Sequence, residues 1–129
     1  MKKLLGILIL GLLCCNTSLA EKLNYSCVMN YKYQNSDKEN WNEKDVELII
    51  DSLDGENVRI FDTEINKYYF PLKIKINNYK ILIAHDIFKK KDWKIIITLV
   101  INKQTGYAKY SEIWYDNQGG TTYSTGQCD

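Results

Sequence analysis

One histidine, one proline and a single arginine stand among the 129 residues, and no apolar run reaches bilayer length. Each scarcity closes a route. With His85 alone, neither a paired-histidine metal centre nor an H-E-x-x-H zinc motif can be assembled, and the G-x-S-x-G nucleophile turn is missing too. His85 is followed by Asp86 inside a stretch read below as a strand. Strand neighbours point to opposite faces, so the two form no relay with each other and His85 reads as a structural or surface residue. No linker, repeat or low-complexity tract suggests a second domain. Arg59 and Pro71 as lone examples beside sixteen Lys, twelve Asn and sixteen Ile look like the usage of an AT-rich genome, which weakens abundant lysine as a functional sign.

What is present begins with an export signal. Lys2 and Lys3 precede the apolar run Leu4 to Leu13, and Ser18-Leu19-Ala20 is a small-residue exit, the three parts of a secretory signal peptide. Residues 1–20 are read as that signal, with cleavage between Ala20 and Glu21, and residues 21–129 as one domain. The run is shorter than the roughly 20 residues a spanning helix needs. Cys14 or Cys15 as a lipid-modified first residue is the competing reading, but Leu13 before Cys14 is not the small residue such sites have. The expected location is periplasmic or secreted.

Processing leaves two of the four cysteines, Cys27 and Cys128. An oxidising compartment makes a disulfide between them the default, closing a loop of about 100 residues. It also removes two lysines, taking the formal net charge from +1 to −1.

The remaining chain alternates. Leu23, Tyr25, Cys27, Met29, Tyr31 and Tyr33 fall on one side and Asn24, Ser26, Asn30, Lys32 and Gln34 on the other, with Val28 the exception. Period two over eleven residues is a half-buried strand. The same pattern predicts strands over Tyr68–Ile76, with Tyr68, Phe70, Leu72, Ile74 and Ile76 inward, and over Tyr79–Phe88, Trp93–Asn102, Tyr107–Tyr115 and Thr121–Cys128. Tyr25, Tyr31 and Trp93 read as core aromatics. Asn77-Asn78 suits a two-residue hairpin with positive φ, and Lys89–Asp92, Lys103–Gly106 and Asp116–Gly120 read as further short turns. Gly119, Gly120 and Gly126 read as a loose hairpin and a thin last strand.

Two shorter strands, Val46–Asp51 and Val58–Asp62, flank Asp54-Gly55. Val46, Ile49, Ile50 and Leu53 also fit a helical stripe, but the isoleucine pair and the hairpin-like Asp-Gly favour strand. A polar loop, Asn35–Asp45, carries Trp41. The expected fold is all-β, about eight antiparallel strands in a meander, and a disulfide from first to last strand makes it a closed or nearly closed barrel; a two-sheet sandwich is the alternative.

Charge is segregated. Residues 35–66 hold ten acids and three bases, residues 67–110 ten bases and two acids. Lys73, Lys75, Lys80, Lys89, Lys90, Lys91 and Lys94 form a candidate basic interaction surface, with solvation of outward strand faces as the plain alternative. Export argues against nucleic acid as its partner; an envelope protein, an anionic lipid headgroup or a small apolar ligand inside the barrel fit better. Asp51, Asp54, Glu56, Asp62 and Glu64 are read as solvated turn or outward acids, since a calcium loop would need the EF-hand order of ligands and glycosidase acids a fixed separation. No catalytic, cofactor-binding or metal-ligating residue is expected.

Residues 95–129, with Asn102-Lys103-Gln104-Thr105-Gly106 and the closing Gly126-Gln127-Cys128, resemble small exported proteins of marine alphaproteobacteria that share an Asn-[Arg/Lys]-x-Thr-Gly turn and a terminal Gly-x-Cys paired with an early Cys. That resemblance implies the β fold and the disulfide. Tyr25-Ser26-Cys27 and a late Cys are also similar to periplasmic inhibitors of C-type lysozyme, whose Ser-Gly-x-x-Tyr segment is echoed by Thr105-Gly106-Tyr107-Ala108-Lys109-Tyr110 with one extra residue before the Tyr. The functional expectation is a non-enzymatic binding or interaction module of the cell envelope, with a lysozyme-type inhibitor and a small hydrolase as alternatives.

Overall fold

The computed structural model describes residues 23–34, 42–116 and 119–129, and every element among them is a strand. In chain order these are β1 (Asn24–Gln34), β2 (Asn42–Ser52), β3 (Asn57–Asp62), β4 (Lys67–Tyr68), β5 (Leu72–Asn77), β6 (Ile81–Lys90), β7 (Trp93–Asn102), β8 (Tyr107–Tyr115) and β9 (Gly120–Cys128). The long strands pair antiparallel with their chain neighbours, and β9 returns to β1, so the sheet closes on itself. The result is an eight-stranded up-and-down barrel with β4 as a short extra strand along β3, which removes the sandwich alternative and leaves no long free edge.

Closure is pinned covalently. Cys27 and Cys128 lie directly opposite in the β1–β9 ladder and are joined as a disulfide. Residues 1–20 with the Ala20/Glu21 cleavage point, Cys14, Cys15 and Trp41 lie outside the described residues.

Alternation fills the interior. Cys27, Met29 and Tyr31 of β1 meet Val46, Leu48 and Ile50 of β2, and Ile95, Ile97, Leu99 and Ile101 of β7 supply the longest buried row. β2 is a strand, not a helix, and it starts at Asn42, so residues 42–45 of the expected loop belong to the sheet. Val28 is indeed the outward exception, 59% exposed. Tyr25 and Trp93 are half-buried against the core and Tyr31 is buried.

The expectation for residues 68–76 needs correction. Leu72 is buried and Ile74 packs on the core, but Tyr68, Phe70 and Ile76 are exposed. The reason is an inserted residue. Asp62 pairs with Lys67 and Phe61 with Tyr68, whereas Val58 pairs with Leu72 and Asn57 with Lys73, so one extra residue sits between the two registers. Pro71 lies at that break, where its missing N–H costs no ladder bond. The insertion inverts the parity of everything before it and turns Tyr69 inward in place of Tyr68 and Phe70. A second shift, between Ile74 and Ile76, turns Ile76 out again.

The β5–β6 turn also differs from the expected two-residue hairpin. β6 starts at Ile81, and Asn78 Oδ1 accepts from the backbone N–H groups of Lys80 and Ile81, both at 2.9 Å, leaving Tyr79 out in solvent. Among the described non-glycine residues, positive φ occurs instead at Asn66, in the β3–β4 turn. Gly126 contradicts the reading of a loose last strand: a Cβ there would lie 2.1 Å from the Val28 carbonyl oxygen, so the glycine marks a tight crossing of β9 on β1.

Strand directions sort the connections into two ends. The β3–β4, β6–β7 and β8–β9 turns, with the end of β1 and the start of β2, lie at one end; the β2–β3, β5–β6 and β7–β8 turns, with Leu23 and Asp129, lie at the other. The first is called the mouth below.

Candidate functional site

Continuing the inward rows toward the mouth changes their chemistry. On β3, Val58 and Ile60 are followed by Asp62, only 5% exposed; on β8, Ala108 and Tyr110 are followed by Glu112 and Trp114; on β1, Met29 is followed by Tyr31. The bottom of the barrel is packed with aliphatic side chains. Its mouth layer is aromatic and acidic.

A cavity of about 500 Å³ occupies that layer, walled by Tyr31, Asp62, Tyr69, Glu112 and Trp114. Lys44, Val46 and Ile65 close one side of it, and Asp116 with residues 119–122 of the β8–β9 connection close the other. A second hollow of about 330 Å³, between Phe70, Pro71, Ile95 and Ile97, shares Tyr69, Glu112 and Trp114 with the first. The break at Pro71 thus opens space beside the main cavity as well as turning Tyr69 into it.

Hydrogen bonds hold the two carboxylates in place. Asp62 Oδ1 accepts from the backbone N–H of Glu64 at 2.9 Å and of Ile65 at 3.2 Å, and Oδ2 accepts from the Tyr69 hydroxyl. The Tyr31 and Tyr69 hydroxyls are 3.2 Å apart, and because Tyr69 gives its proton to Asp62, Tyr31 is the donor of that pair. Glu112 accepts from the Tyr110 hydroxyl and, at 3.1 Å, from Trp114 Nε1. The rings of Tyr31 and Tyr69 each pack on Tyr110, with centroids 6.1 and 5.7 Å apart, in tilted geometries that aromatic pairs favour.

Burial raises the pKa of Tyr31, Tyr69 and Tyr110 above that of a free tyrosine, and the Glu112 charge adds to the effect at Tyr31 and Tyr110. All three hydroxyls therefore stay protonated at neutral pH, Tyr69 and Tyr110 donating to the acids beside them and Tyr31 to the Tyr69 hydroxyl. Among the described residues neither Asp62 nor Glu112 has a Lys, Arg or His within ion-pair distance; Lys44, at the rim, pairs with Glu64 at 3.1 Å.

The lysines proposed as a basic surface spread from the mouth to the opposite end of the barrel. Lys89, Lys90 and Lys91 with Lys94 cluster around the β6–β7 turn at the mouth, and Lys73 and Lys75 are exposed on β5. Lys80 sits in the β5–β6 turn at the opposite end, about 30 Å away along β6 at roughly 3.3 Å per residue. Several pack over aromatic rings, Lys90 over Trp93 and Lys94 over Tyr115.

The other candidates are dispersed. His85 is on the outer wall with Nδ1 2.9 Å from Thr98 Oγ1, and Asp86 falls on the opposite face, in line with buried Ala84. Asp51 pairs across the ladder with Arg59 at 2.7 Å, and Asp54 Oδ1 accepts from the N–H groups of Glu56 and Asn57, bonds that lower its pKa. These acids do not converge. Tyr110, which ends the segment echoing lysozyme inhibitors, points into the barrel.

Sequence reasoning placed Asp62 outside and passed over Glu112, Tyr69 and Trp114. For Asp62, Glu112 and Trp114 the sign was available, since the parities 58-60-62 and 108-110-112-114 run inward without interruption. No protein-family model and no curated protein matches the chain.

Proposed function

We propose that the protein is an exported, non-enzymatic binding barrel of the cell envelope that takes a small ligand into the cavity at its mouth. The observation that carries this reading is the cavity itself: about 500 Å³ at the mouth of an eight-stranded barrel whose other interior layers are filled by side chains. An eight-stranded barrel has just the width either to fill itself or to hold one ligand, and that volume lies within the ordinary range of small-molecule sites. The lining mixes aromatic surface with fixed polar groups, the usual recipe for orientation plus affinity. Export is supported by the three-part pattern of residues 1–20 and fits a structural disulfide. The site is half polar, which moves the expected ligand away from a purely apolar one.

Native mass spectrometry of protein purified from its own envelope tests this. A bound small molecule is expected, and it is expected to be lost in Thr122→Trp, which fills the cavity from β9, while circular dichroism shows the barrel intact. Wild-type protein carrying nothing, or a bound molecule retained by the filled variant, overturns the proposal.

A further inference from the structure

We infer that the mouth cavity selects a ligand carrying a protonated nitrogen on an apolar body, such as an aryl- or alkylamine. This deepens the binding-barrel reading and rests on it.

The argument is an inventory of donors and acceptors. Every side-chain donor that lines up with the two acids is already committed: the Tyr69 hydroxyl to Asp62, the Tyr110 hydroxyl and the Trp114 indole N–H to Glu112, and the Tyr31 hydroxyl to Tyr69. Acceptor capacity is left over. A carboxylate offers about four lone-pair sites, whereas Glu112 receives two hydrogen bonds and Asp62 three. A guest that brings N–H groups finds acceptors waiting beside the two acids, while the cavity's other side-chain donors, Lys44, Thr121 and Thr122, stand on separate strands, β2 and β9.

Charge points the same way. Asp62 is almost wholly buried and Glu112 partly so, and neither is matched by a cation among the described residues, because Lys44 is engaged with Glu64 at the rim. Burying carboxylates without a counter-charge is costly, and a cationic guest offsets that cost. The walls suit such a guest, since Tyr31, Tyr69 and Trp114 present ring surface to which a cation is attracted and against which an apolar body packs.

The test uses three probes with one apolar body: phenethylamine, 2-phenylethanol and phenylacetate, titrated calorimetrically into the wild-type protein and into the double variant Asp62→Asn, Glu112→Gln. The amine is expected to bind the wild type about tenfold or more tighter than the alcohol, the size of a charge-assisted hydrogen bond, with the acid weakest. The double variant, which lacks both carboxylates, is expected to lose that preference, with circular dichroism checking that the barrel still forms. Equal or tighter binding of the alcohol or the acid by the wild type, or an amine preference that survives in the folded double variant, overturns the inference and leaves the binding barrel standing. Failure of all three to bind overturns the inference, and the native mass spectrum then decides the binding barrel.

Discussion

Gly126 shows how much one missing side chain can matter in a closed sheet. It faces Met29 on one neighbour and Ala108 on the other, and a Cβ would meet the Val28 carbonyl at 2.1 Å, Met29 Sδ at 2.7 Å and Met29 Cα at 2.8 Å. Two of those three atoms are backbone, so the strands must part for a methyl group to enter. Gly126→Ala should lower stability by about 3 kcal/mol, the upper range of overpacking, measured as the urea midpoint at unchanged slope. Gly55 is the internal control, since a Cβ there meets nothing within 4 Å. Gly55→Ala should be neutral or stabilising by a few tenths of a kcal/mol, through the entropy of the unfolded chain. If both substitutions cost the same, the crowding at the β1–β9 crossing is not what constrains position 126.

At the level of elements, the mouth layer predicts a pH dependence. The three buried tyrosines have pKa values raised in the folded state above the value of about 10 they take when unfolded. Below that pH both states hold the protons and stability is fully present; above it the unfolded chain releases protons that the barrel retains, so stability falls as pH rises. The slope should approach about 1.4 kcal/mol per pH unit for each of the three, and Tyr31→Phe should remove one third of it in urea titrations between pH 8 and about 11.5. Absorbance of ionised tyrosine should show these three of the ten titrating only as the barrel opens. The same layer shows what was legible in the chain. Wherever a strand runs without insertion, as in β1, β3 and β7, period-two alternation alone assigns inside and outside correctly. At Pro71 and beside Lys75 an extra residue inverts parity, and no local pattern announces it: Tyr68 and Phe70 looked inward because the register break lies in pairings made with β3, far off in sequence. Asp62 failed for another reason. Its parity was clear, but acids are so rarely buried that the residue type outweighed the position, and the partners that make its burial tolerable, Tyr69 and the turn amides of Glu64 and Ile65, become visible only in three dimensions.

For the molecule as a whole, a meander converts stretches of sequence into adjacent sectors of wall. The acidic stretch becomes the β2–β3 sector, with Asp45 and Glu47 exposed, and the basic stretch begins with Lys67 on β4 and continues on β5 with Lys73 and Lys75. The β1–β9 seam, which alone joins the ends of the meander, carries the closing disulfide near the end opposite the mouth. Because Cys27 and Cys128 lie 101 positions apart, the bond constrains nearly the whole domain in its unfolded state. Cys27→Ala with Cys128→Ala should therefore cost about 4 to 5 kcal/mol on the chain-entropy account, or roughly 20 °C in Tm for a domain of this size. Eight register pairs still link β1 to β9 without the bond, from Cys27–Cys128 up to Gln34–Thr121 at the mouth. Below its lowered Tm the double variant should accordingly keep the far-ultraviolet spectrum of the barrel and its ligand affinity. A Tm that barely moves would show that loop closure is not what the disulfide contributes; loss of the β spectrum at 25 °C would show that the seam cannot close on backbone pairing alone.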